Sequence, residues 1–148
     1  MGYTRCPDGH RGVVCLCGST RFKRHFEIVQ KYLTLQGKIV LSVGMFGHSG
    51  DLLPEQCREG NPTKDMLDAL HLKKINFAEE VYVIDPDGYI GSSTTREIEH
   101  AIRTRKRVSY LSMDPEMLAN VNGENLAWVP GYRRTDGKFV YGHWKEEH

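Results

Sequence analysis

Two short polar segments of the 148-residue chain have the composition of an anion-binding site. The first is the Gly-Ser-Thr-Arg sequence of residues 18–21, which lies between an apolar run and a helical pattern. A helix N-terminus offers free backbone N–H groups and a partial positive charge, and both favour phosphate. Ser19 adds a hydroxyl group, and Arg21 adds a permanent cation that can form two hydrogen bonds with phosphate. This segment predicts a phosphate site; the more common alternative is a capped helix start with a solvated arginine.

The second segment, residues 91–97, repeats this arrangement at a later helix start. Gly91, Ser92 and Ser93 offer groups suited to an anion, and Glu97 is expected in the first turn of the helix. A glutamate in a first turn is also a routine partner of the helix dipole, which would explain Glu97 without any function. Two polar helix starts that converge on one edge of a sheet favour a phosphorylated ligand.

Apolar runs and helical patterns alternate along the chain and predict the elements that position these segments. The predicted strands cover residues 13–17, 38–43, 81–84 and 108–111. Helices are predicted from Ser19 or Thr20 up to Gly37, from a cap at Thr63, and over residues 94–105. Such alternation is typical of an α/β fold with right-handed crossovers. We expect a doubly wound, Rossmann- or flavodoxin-like parallel sheet of about four to five strands.

One α/β domain is expected over residues 1–112, followed by a C-terminal extension over residues 113–148. In parallel sheets of this kind, ligands bind beyond the carboxyl ends of the strands. The loops that open at Gly18, Gly44 and Asp85 all lie at that edge. In the extension, the Thr-Asp-Gly sequence of residues 135–137 separates two aromatic, β-prone runs. This pattern predicts a β-hairpin that packs against the domain or a second subunit.

Residues 13–111 resemble the nucleoside 2-deoxyribosyltransferase superfamily, and most of all the branch that hydrolyses 2′-deoxynucleoside 5′-monophosphates. Residues 17–21 are similar to the phosphate loop of that branch, in which glycine, serine, any residue and arginine follow the first strand. Residues 93–101 are similar to the segment that contains the family's nucleophile, a glutamate followed by an aliphatic residue and, four positions on, an alanine. The resemblance implies that Glu97 is the nucleophile. It also implies a nucleotide substrate and a homodimer with sites near its interface.

The sequence departs from this family at one position. The family's aspartate in the helix before the third strand corresponds to His71, and Asp68 lies one turn earlier on roughly the same helical face. His71 can donate a proton near neutral pH and so replace the aspartate. Equally, it can be a helix-surface histidine without a role. This departure affects the predictions of base protonation and of the exact substrate more than it affects the prediction of phosphate binding.

The residues and the resemblance together describe cleavage of an N-glycosidic bond. Glu97 would attack or stabilise the anomeric carbon, as the nucleophile of a retaining glycosidase does. His71 or Asp68 would neutralise the leaving base, and water or a second base would then take the sugar. The candidate substrate-binding residues are Gly18, Ser19, Arg21, Gly91, Ser92, Ser93, Tyr89 and His48.

Other loop residues at the same edge have simpler explanations. The loop that contains Met45, Phe46 and His48 is most simply a mobile, glycine-rich connection with one packed phenylalanine. Asp85 or Asp87 could hold a sugar hydroxyl, but aspartate is also common in turns because of local hydrogen bonding.

Composition excludes several other classes of protein. The formal net charge is +1 and hydrophobic residues make up 39% of the chain, which argues against disorder and against a dedicated polyanion binder. No apolar run approaches the ~20 residues of a membrane span, so we expect a cytoplasmic protein without a membrane partner. A zinc site formed by Cys6, His10, Cys15 and Cys17 would match no common ligand spacing, and buried strand thiols are preferred. No metal or organic cofactor is predicted.

A second class of function stays open, namely a non-catalytic module that binds or senses a nucleotide. The replacement of the family's aspartate favours this alternative, whereas the intact segment around Glu97 favours the enzyme. The C-terminal hairpin carries aromatic and basic residues that could contact nucleic acid or protein. Residues 126–148, however, hold four Lys or Arg against three Asp or Glu, so nucleic acid is not the expected partner.

Overall fold

A four-stranded parallel sheet is the central feature of the computed structural model, which describes residues 11–124, 126–129, 132–140 and 143–146. Its strands are β1 (Val13–Gly18), β2 (Ile39–Leu41), β3 (Glu80–Ile84) and β4 (Arg107–Tyr110), in the order β2-β1-β3-β4. The helices are α1 (Lys23–Leu35), α2 (Pro62–Phe77), α3 (Ser92–Arg103) and α4 (Pro115–Gly123). Short 3₁₀ helices span Thr20–Phe22, Gly47–Ser49, Pro54–Cys57 and Leu111–Met113. The predicted α/β fold is confirmed, and the arrangement is consistent with a Rossmann-like fold.

Helices cover both faces of the sheet. On one face, Val14 and Leu16 of β1 pack with buried side chains of α1 and α4. On the other face, Cys15 and Cys17 pack with buried side chains of α2 and α3. Successive side chains of a strand point to opposite faces, which explains why β1 reads as an unbroken apolar run. The chain runs from β1 to β2 on one side and then to β3 on the other, so the switch point lies between β1 and β3.

Three helices begin at residues other than the predicted ones. Ser19 caps the short 3₁₀ helix Thr20–Phe22, and α1 begins only at Lys23. The α2 helix begins at Pro62, and its cap is Asn61 rather than Thr63, because the Asn61 side chain accepts a hydrogen bond from the Thr63 N–H at 2.9 Å. Proline suits the first helical position, so the cap is the residue before it. The α3 helix begins at Ser92, earlier than the predicted residue 94, with Gly91 as its N-cap. Ser92 and Ser93 therefore belong to the first turn of α3.

The α4 helix at the start of the C-terminal extension is absent from the sequence-based expectations. Asp114 caps it by accepting a hydrogen bond from the Met117 N–H at 3.1 Å, and Pro115 occupies the first turn. This Asp-Pro pair is the signal by which the sequence could have indicated the helix. Met117 and Val121 are buried in the same cluster as the apolar side of α1. The division of the chain at residue 112 stays a prediction.

Four short strands follow α4 in the C-terminal extension. They are β5 (Leu126–Val129), β6 (Tyr132–Arg133), β7 (Phe139–Val140) and β8 (His143–Glu146). Strand β5 pairs antiparallel with β8, and β6 pairs antiparallel with β7. Residues 130, 131, 141 and 142, which separate β5 from β6 and β7 from β8, lie outside the described residues, so the hairpin as a whole stays a prediction. None of the described helices has the length and apolar composition needed to cross a membrane.

Gly18 ends β1 at a position where no side chain fits. Its φ is +155°, and an added Cβ would lie 2.7 Å from the backbone oxygen of Ile84 in β3. Because that oxygen belongs to a central strand, we expect Gly18→Ala to lower the free energy of unfolding by about 1–3 kcal/mol. Thermal unfolding followed by circular dichroism measures this loss. The control is Gly123→Ala, where a Cβ meets nothing within 4 Å; equal losses in both variants would contradict the packing argument.

Candidate functional site

A cavity of about 350 Å³ opens at the predicted ligand edge, beyond the carboxyl end of β1. Its volume lies within the range of small-molecule sites, roughly 300–1,000 Å³. The predicted site residues that line it are Gly18, Ser19, His48, Asp68, His71, Tyr89, Gly91, Ser92, Ser93 and Glu97. Arg21 does not line the cavity, but its guanidinium lies against the ring of Tyr89, which does.

Glu97 lies on the cavity wall and projects from α3. Because α3 begins at Ser92, Glu97 is in the second turn, where the helix dipole no longer explains a glutamate. The residue is 9% exposed, and its Oε2 has no hydrogen-bond partner among the described residues. Burial raises the pKa of Glu97 to about 7, and the nearby His71 acts in the opposite direction. This carboxyl group is therefore buried at the cavity wall, and its pKa lies close to neutral pH.

His71 of α2 lies beside Glu97 and is 5% exposed, so it is not at the helix surface. Its Nε2 is 2.9 Å from the carbonyl oxygen of Leu16 and 3.9 Å from Glu97 Oε2. Burial disfavours a charged imidazole, but the hydrogen bond with Cys15 and the Glu97 carboxylate outweigh it and raise the pKa of His71. The arrangement makes His71 a neighbour that can stabilise a negative charge on Glu97.

Two buried thiols contact the same imidazole. The Sγ atoms of Cys15 and Cys17 lie 3.6 and 3.5 Å from His71 Nε2. They share a face of β1 because alternate residues of a strand point to the same side. The hydrogen bond with Cys15, burial and the charge of Glu97 together raise the pKa of the Cys17 thiol. Cysteine and histidine side chains with metal-ligating atoms thus meet directly beneath the cavity.

Asp68, one turn before His71 on α2, belongs to a charged network on the cavity wall. Its Oδ2 accepts hydrogen bonds from Lys64 Nζ at 2.6 Å and from the Ser93 hydroxyl at 3.4 Å. The Arg96 guanidinium is 3.7 Å from the same oxygen, and 34% of the Asp68 side chain is exposed. Asp68 therefore links α2 to the first turn of α3 while it remains accessible from the cavity.

Ser19 and Arg21 form a compact unit beyond the end of β1. The Ser19 Oγ accepts hydrogen bonds from the backbone N–H of Arg21 at 3.3 Å and from its Nε–H at 3.2 Å. The Arg21 guanidinium carbon lies 4.0 Å from the centroid of the Tyr89 ring, a cation–π contact. The arginine is thus held beside two residues that line the cavity.

A carboxylate lies at the start of α3, where an anion was expected. Glu59 Oε1 accepts a hydrogen bond from the Ser92 hydroxyl at 3.1 Å and lies 3.3 Å from Arg96 and 3.4 Å from Lys64. Hydrogen bonds from Arg96 and Ser92, together with the charge of Lys64, lower the pKa of Glu59. No pattern in the sequence indicates this contact, because Glu59 lies in the irregular segment before α2.

Removing the charge of Glu59 is expected to strengthen the binding of phosphate-bearing ligands. Glu59→Gln keeps the size of the side chain but removes the negative charge that competes for Ser92, Lys64 and Arg96. We expect the Kd of inorganic phosphate, measured by isothermal titration calorimetry, to fall roughly two- to fivefold. Glu55→Gln, an exposed glutamate of the same segment, should leave that Kd unchanged. Weaker phosphate binding by Glu59→Gln would show that the Glu59 carboxylate does not compete with phosphate.

The loop after β2 lies against the cavity. His48 Nδ1 is hydrogen-bonded to the Thr20 hydroxyl, and Met45 and His48 line the cavity. Phe46 packs edge-on against Phe26 of α1, with ring centroids 5.4 Å apart. Burial and two nearby cations lower the pKa of His48. The simple interpretation of this loop is therefore right for the packed Phe46, whereas His48 is held at the site by a specific contact.

Asp85 and Asp87 form local hydrogen bonds. The Asp85 carboxylate accepts hydrogen bonds from the Ser112 N–H at 3.0 Å and the Ser112 hydroxyl at 2.8 Å, which joins the segments that follow β3 and β4. Asp87 accepts a hydrogen bond from the Tyr89 N–H at 3.0 Å. Neither aspartate lines the cavity, so the structure offers no support for a sugar contact by either.

The cavity combines a buried carboxyl group with two helix starts that carry hydroxyl and cationic groups. This combination suits a ligand with an anionic group at one end and an electrophilic carbon close to Glu97. Comparisons of the chain with known protein families, with curated proteins and with solved structures found no match.

Proposed function

We propose that this protein cleaves the N-glycosidic bond of a nucleoside 5′-monophosphate, with a deoxynucleotide as the expected substrate and Glu97 as the nucleophile. One observation carries the proposal: Glu97 lines the cavity although the residue is only 9% exposed, and its buried Oε2 has no hydrogen-bond partner among the described residues. Burying such a group is unfavourable unless a ligand engages it. The resemblance of residues 13–111 points to the same glutamate.

The reaction would proceed in two steps. The Glu97 carboxylate attacks the anomeric carbon as the bond from that carbon to the base nitrogen breaks, and the electron pair of that bond leaves with the base, which takes up a proton. Water then attacks the anomeric carbon of the resulting ester, which releases the sugar phosphate, restores the Glu97 carboxylate and frees a proton. A second base in place of water would make the reaction a transfer. His71, 3.9 Å away, would stabilise the carboxylate.

Asp68 and His71 are the two candidates for the proton donor to the leaving base. His71 is buried with its Nε2 at the Leu16 carbonyl, whereas a third of the Asp68 side chain is exposed at the cavity. This difference makes Asp68 the more accessible of the two candidates, with Lys64 ion-paired to its carboxylate, and makes His71 a positioning residue for Glu97.

The 5′-phosphate is proposed to bind between the two polar helix starts. Ser19 and Arg21 would contact it from the β1 side, and Ser92 and Ser93 from the first turn of α3. The carboxylate of Glu59 supports this assignment, because it already forms with Ser92 the contact that a phosphate oxygen would form. Binding energy from the phosphate would hold the sugar in line with the nucleophile.

The sugar and the base are proposed to lie between Tyr89 and His48. The Tyr89 ring is held by the Arg21 guanidinium on its face and is suited to packing over the sugar. His48, fixed by Thr20, is suited to contact the base. Both residues line the cavity.

A homodimer is also proposed, and exposed apolar side chains on one face of α2 support it. The large exposed apolar side chains on this surface are Met66, Leu70 and Phe77, which helical spacing places on one face of α2. Exposed apolar patches of this kind commonly mark protein–protein interfaces, and the resemblance implies a second copy of the chain as the partner. Light scattering after size-exclusion chromatography tests it: a dimer that dissociates in Phe77→Asp supports the proposal, and a monomer at all concentrations rejects it.

Chromatography of ribo- and deoxynucleoside 5′-monophosphates incubated with the protein tests the proposed activity. Release of free base that is absent with Glu97→Ala would support the enzyme and identify its substrate. Intact nucleotides together with saturable binding would instead support the non-catalytic nucleotide-binding module. A protein that neither cleaves nor binds any of these nucleotides would reject both functions.

A further inference from the structure

Three metal-ligating side chains converge beneath the cavity wall formed by Glu97. The ligating atoms of Cys15, Cys17 and His71 all lie within 4.8 Å of one another, and all three residues are buried. They come from β1 and α2, so the packing of α2 on the sheet brings them together. We propose that Cys15, Cys17 and His71 form a binding site for a thiophilic divalent cation such as Zn²⁺.

The distances in this cluster match those of a zinc site. With Zn–S bonds of about 2.3 Å and Zn–N bonds of about 2.0–2.1 Å, sulfur and nitrogen ligands of a tetrahedral site lie about 3.5–3.6 Å apart. The Sγ atoms of Cys15 and Cys17 lie 3.6 and 3.5 Å from His71 Nε2. A cation can therefore bind all three atoms with little movement of the side chains.

Glu97 supplies a second and independent observation. Its Oε2 is buried, lies 3.9 Å from His71 Nε2 and has no hydrogen-bond partner among the described residues. A cation with three protein ligands has a fourth position, which this oxygen or water from the cavity can fill. A bound cation would thus provide the partner that the Glu97 oxygen lacks.

The protons and charges of the bound state balance. Each thiol loses its proton, so the two thiolates neutralise a divalent cation. His71 must present the lone pair of Nε2, so the imidazole proton moves to Nδ1 and the contact with the Leu16 carbonyl is lost. Binding releases about two protons per cation and is stronger at higher pH. Thiolate ligands select Zn²⁺ over Mg²⁺ and Ca²⁺.

The competing explanation is a metal-free core. Both cysteines belong to the apolar cluster that includes Ile75 and Val83, and His71 can donate a hydrogen bond to the Leu16 carbonyl. That explanation accounts for the buried thiols and for an interaction of the Cys17 thiol with the Glu97 carboxyl group, but it leaves Glu97 Oε2 without a hydrogen-bond partner among the described residues. It also predicts that thiophilic cations bind to Cys15 and Cys17 no more tightly than to any other pair of cysteines in the chain.

The cation site does not rest on the proposed glycosidase activity, because binding is measured without a nucleotide. If both proposals hold, the cation engages His71 and Glu97 and inhibits cleavage. Binding without cleavage, or cleavage without binding, would separate the two.

Titration of the reduced 148-residue chain with Zn²⁺, in competition with a chromophoric chelator, tests the site. We expect about one equivalent to bind with a Kd below about 1 μM near pH 7.5. Co²⁺ used in place of Zn²⁺ should give a thiolate-to-metal charge-transfer band, which reports sulfur ligation directly. The matched control replaces Cys6 and Cys57 by alanine together; it removes the same number of thiols and should leave the affinity and the band unchanged.

The double variant Cys15→Ala with Cys17→Ala should bind Zn²⁺ roughly 100-fold more weakly or worse and lose the Co²⁺ band. Because both thiols lie in the core, His71→Gln provides a second variant that keeps both sulfurs; it should weaken Zn²⁺ binding and shift the Co²⁺ spectrum. A measurement on the wild-type protein alone can refute the site. The absence of a charge-transfer band with wild-type protein, or its loss in the Cys6 and Cys57 control, overturns the proposal.

Discussion

Glu97→Gln is expected to lower the rate of base release from the preferred nucleoside 5′-monophosphate by roughly 10³-fold or more. The amide keeps the size of the side chain but cannot form the ester with the anomeric carbon, so the first step loses its nucleophile. A loss of this size corresponds to an increase of about 4 kcal/mol in the activation free energy. Chromatographic quantification of free base under single-turnover conditions measures it.

The matched control for this variant is Glu99→Gln, an exposed glutamate two residues further along α3. It should leave the rate of base release unchanged. Glu97→Gln should also fold at least as stably as the wild type, because it replaces a buried carboxyl group whose Oε2 has no hydrogen-bond partner among the described residues. A thermal midpoint equal to or above that of the wild type would show that lost activity is not lost folding. Base release at the wild-type rate by Glu97→Gln would rule out its role as nucleophile.

Arg21→Ala is expected to raise the KM of the nucleoside 5′-monophosphate by roughly 10- to 100-fold, because it removes a charge-assisted contact with the phosphate. The same variant should leave the slow cleavage or weak binding of the corresponding nucleoside unchanged, because a nucleoside has no phosphate. Steady-state kinetics on this pair of ligands measures the difference. If Arg21 acted only in folding, its replacement would weaken the binding of both ligands equally.

Arg24→Ala is the control for the loss of an arginine from this region. Arg24 lies further along the same helical segment, pairs with Glu27 and Glu124 and does not line the cavity. Its replacement should leave both KM values unchanged. An unchanged nucleotide KM in Arg21→Ala, with normal cleavage, would move the phosphate to the α3 side of the site, where Ser92 and Ser93 lie.

The order of strands and helices was predictable because it depends on local patterns. The apolar run of β1 and the helical spacing of α1 need only neighbouring residues to be recognised. The start of α3 was placed too late, because serine and threonine serve both as caps and as first-turn residues. The α4 helix was not predicted, although Asp114 as its cap and Pro115 in its first turn indicate it.

Only those parts of the candidate site that the sheet topology brings together could be predicted. Once β1 and β3 are neighbouring parallel strands, the segments that follow Gly18 and Ile84 must open at one edge, so Ser19 and Glu97 could be assigned to one site. The loop around His48, interpreted from the sequence as a mobile connection, contains a hydrogen bond between His48 and Thr20. No local pattern could indicate that bond, because the two residues lie on different loops.

The sequence by itself determined the α/β class and the polar helix starts, because each depends on residues close together along the chain. The choice of Glu97 as the candidate nucleophile came from a resemblance to a known family. The tertiary structure alone decided which distant side chains meet. It placed His71 of α2 against the thiols of β1 and the carboxylate of Glu59 against Ser92. Such contacts depend on how the crossover helices pack on the sheet, and that packing is set by the shapes of many side chains together.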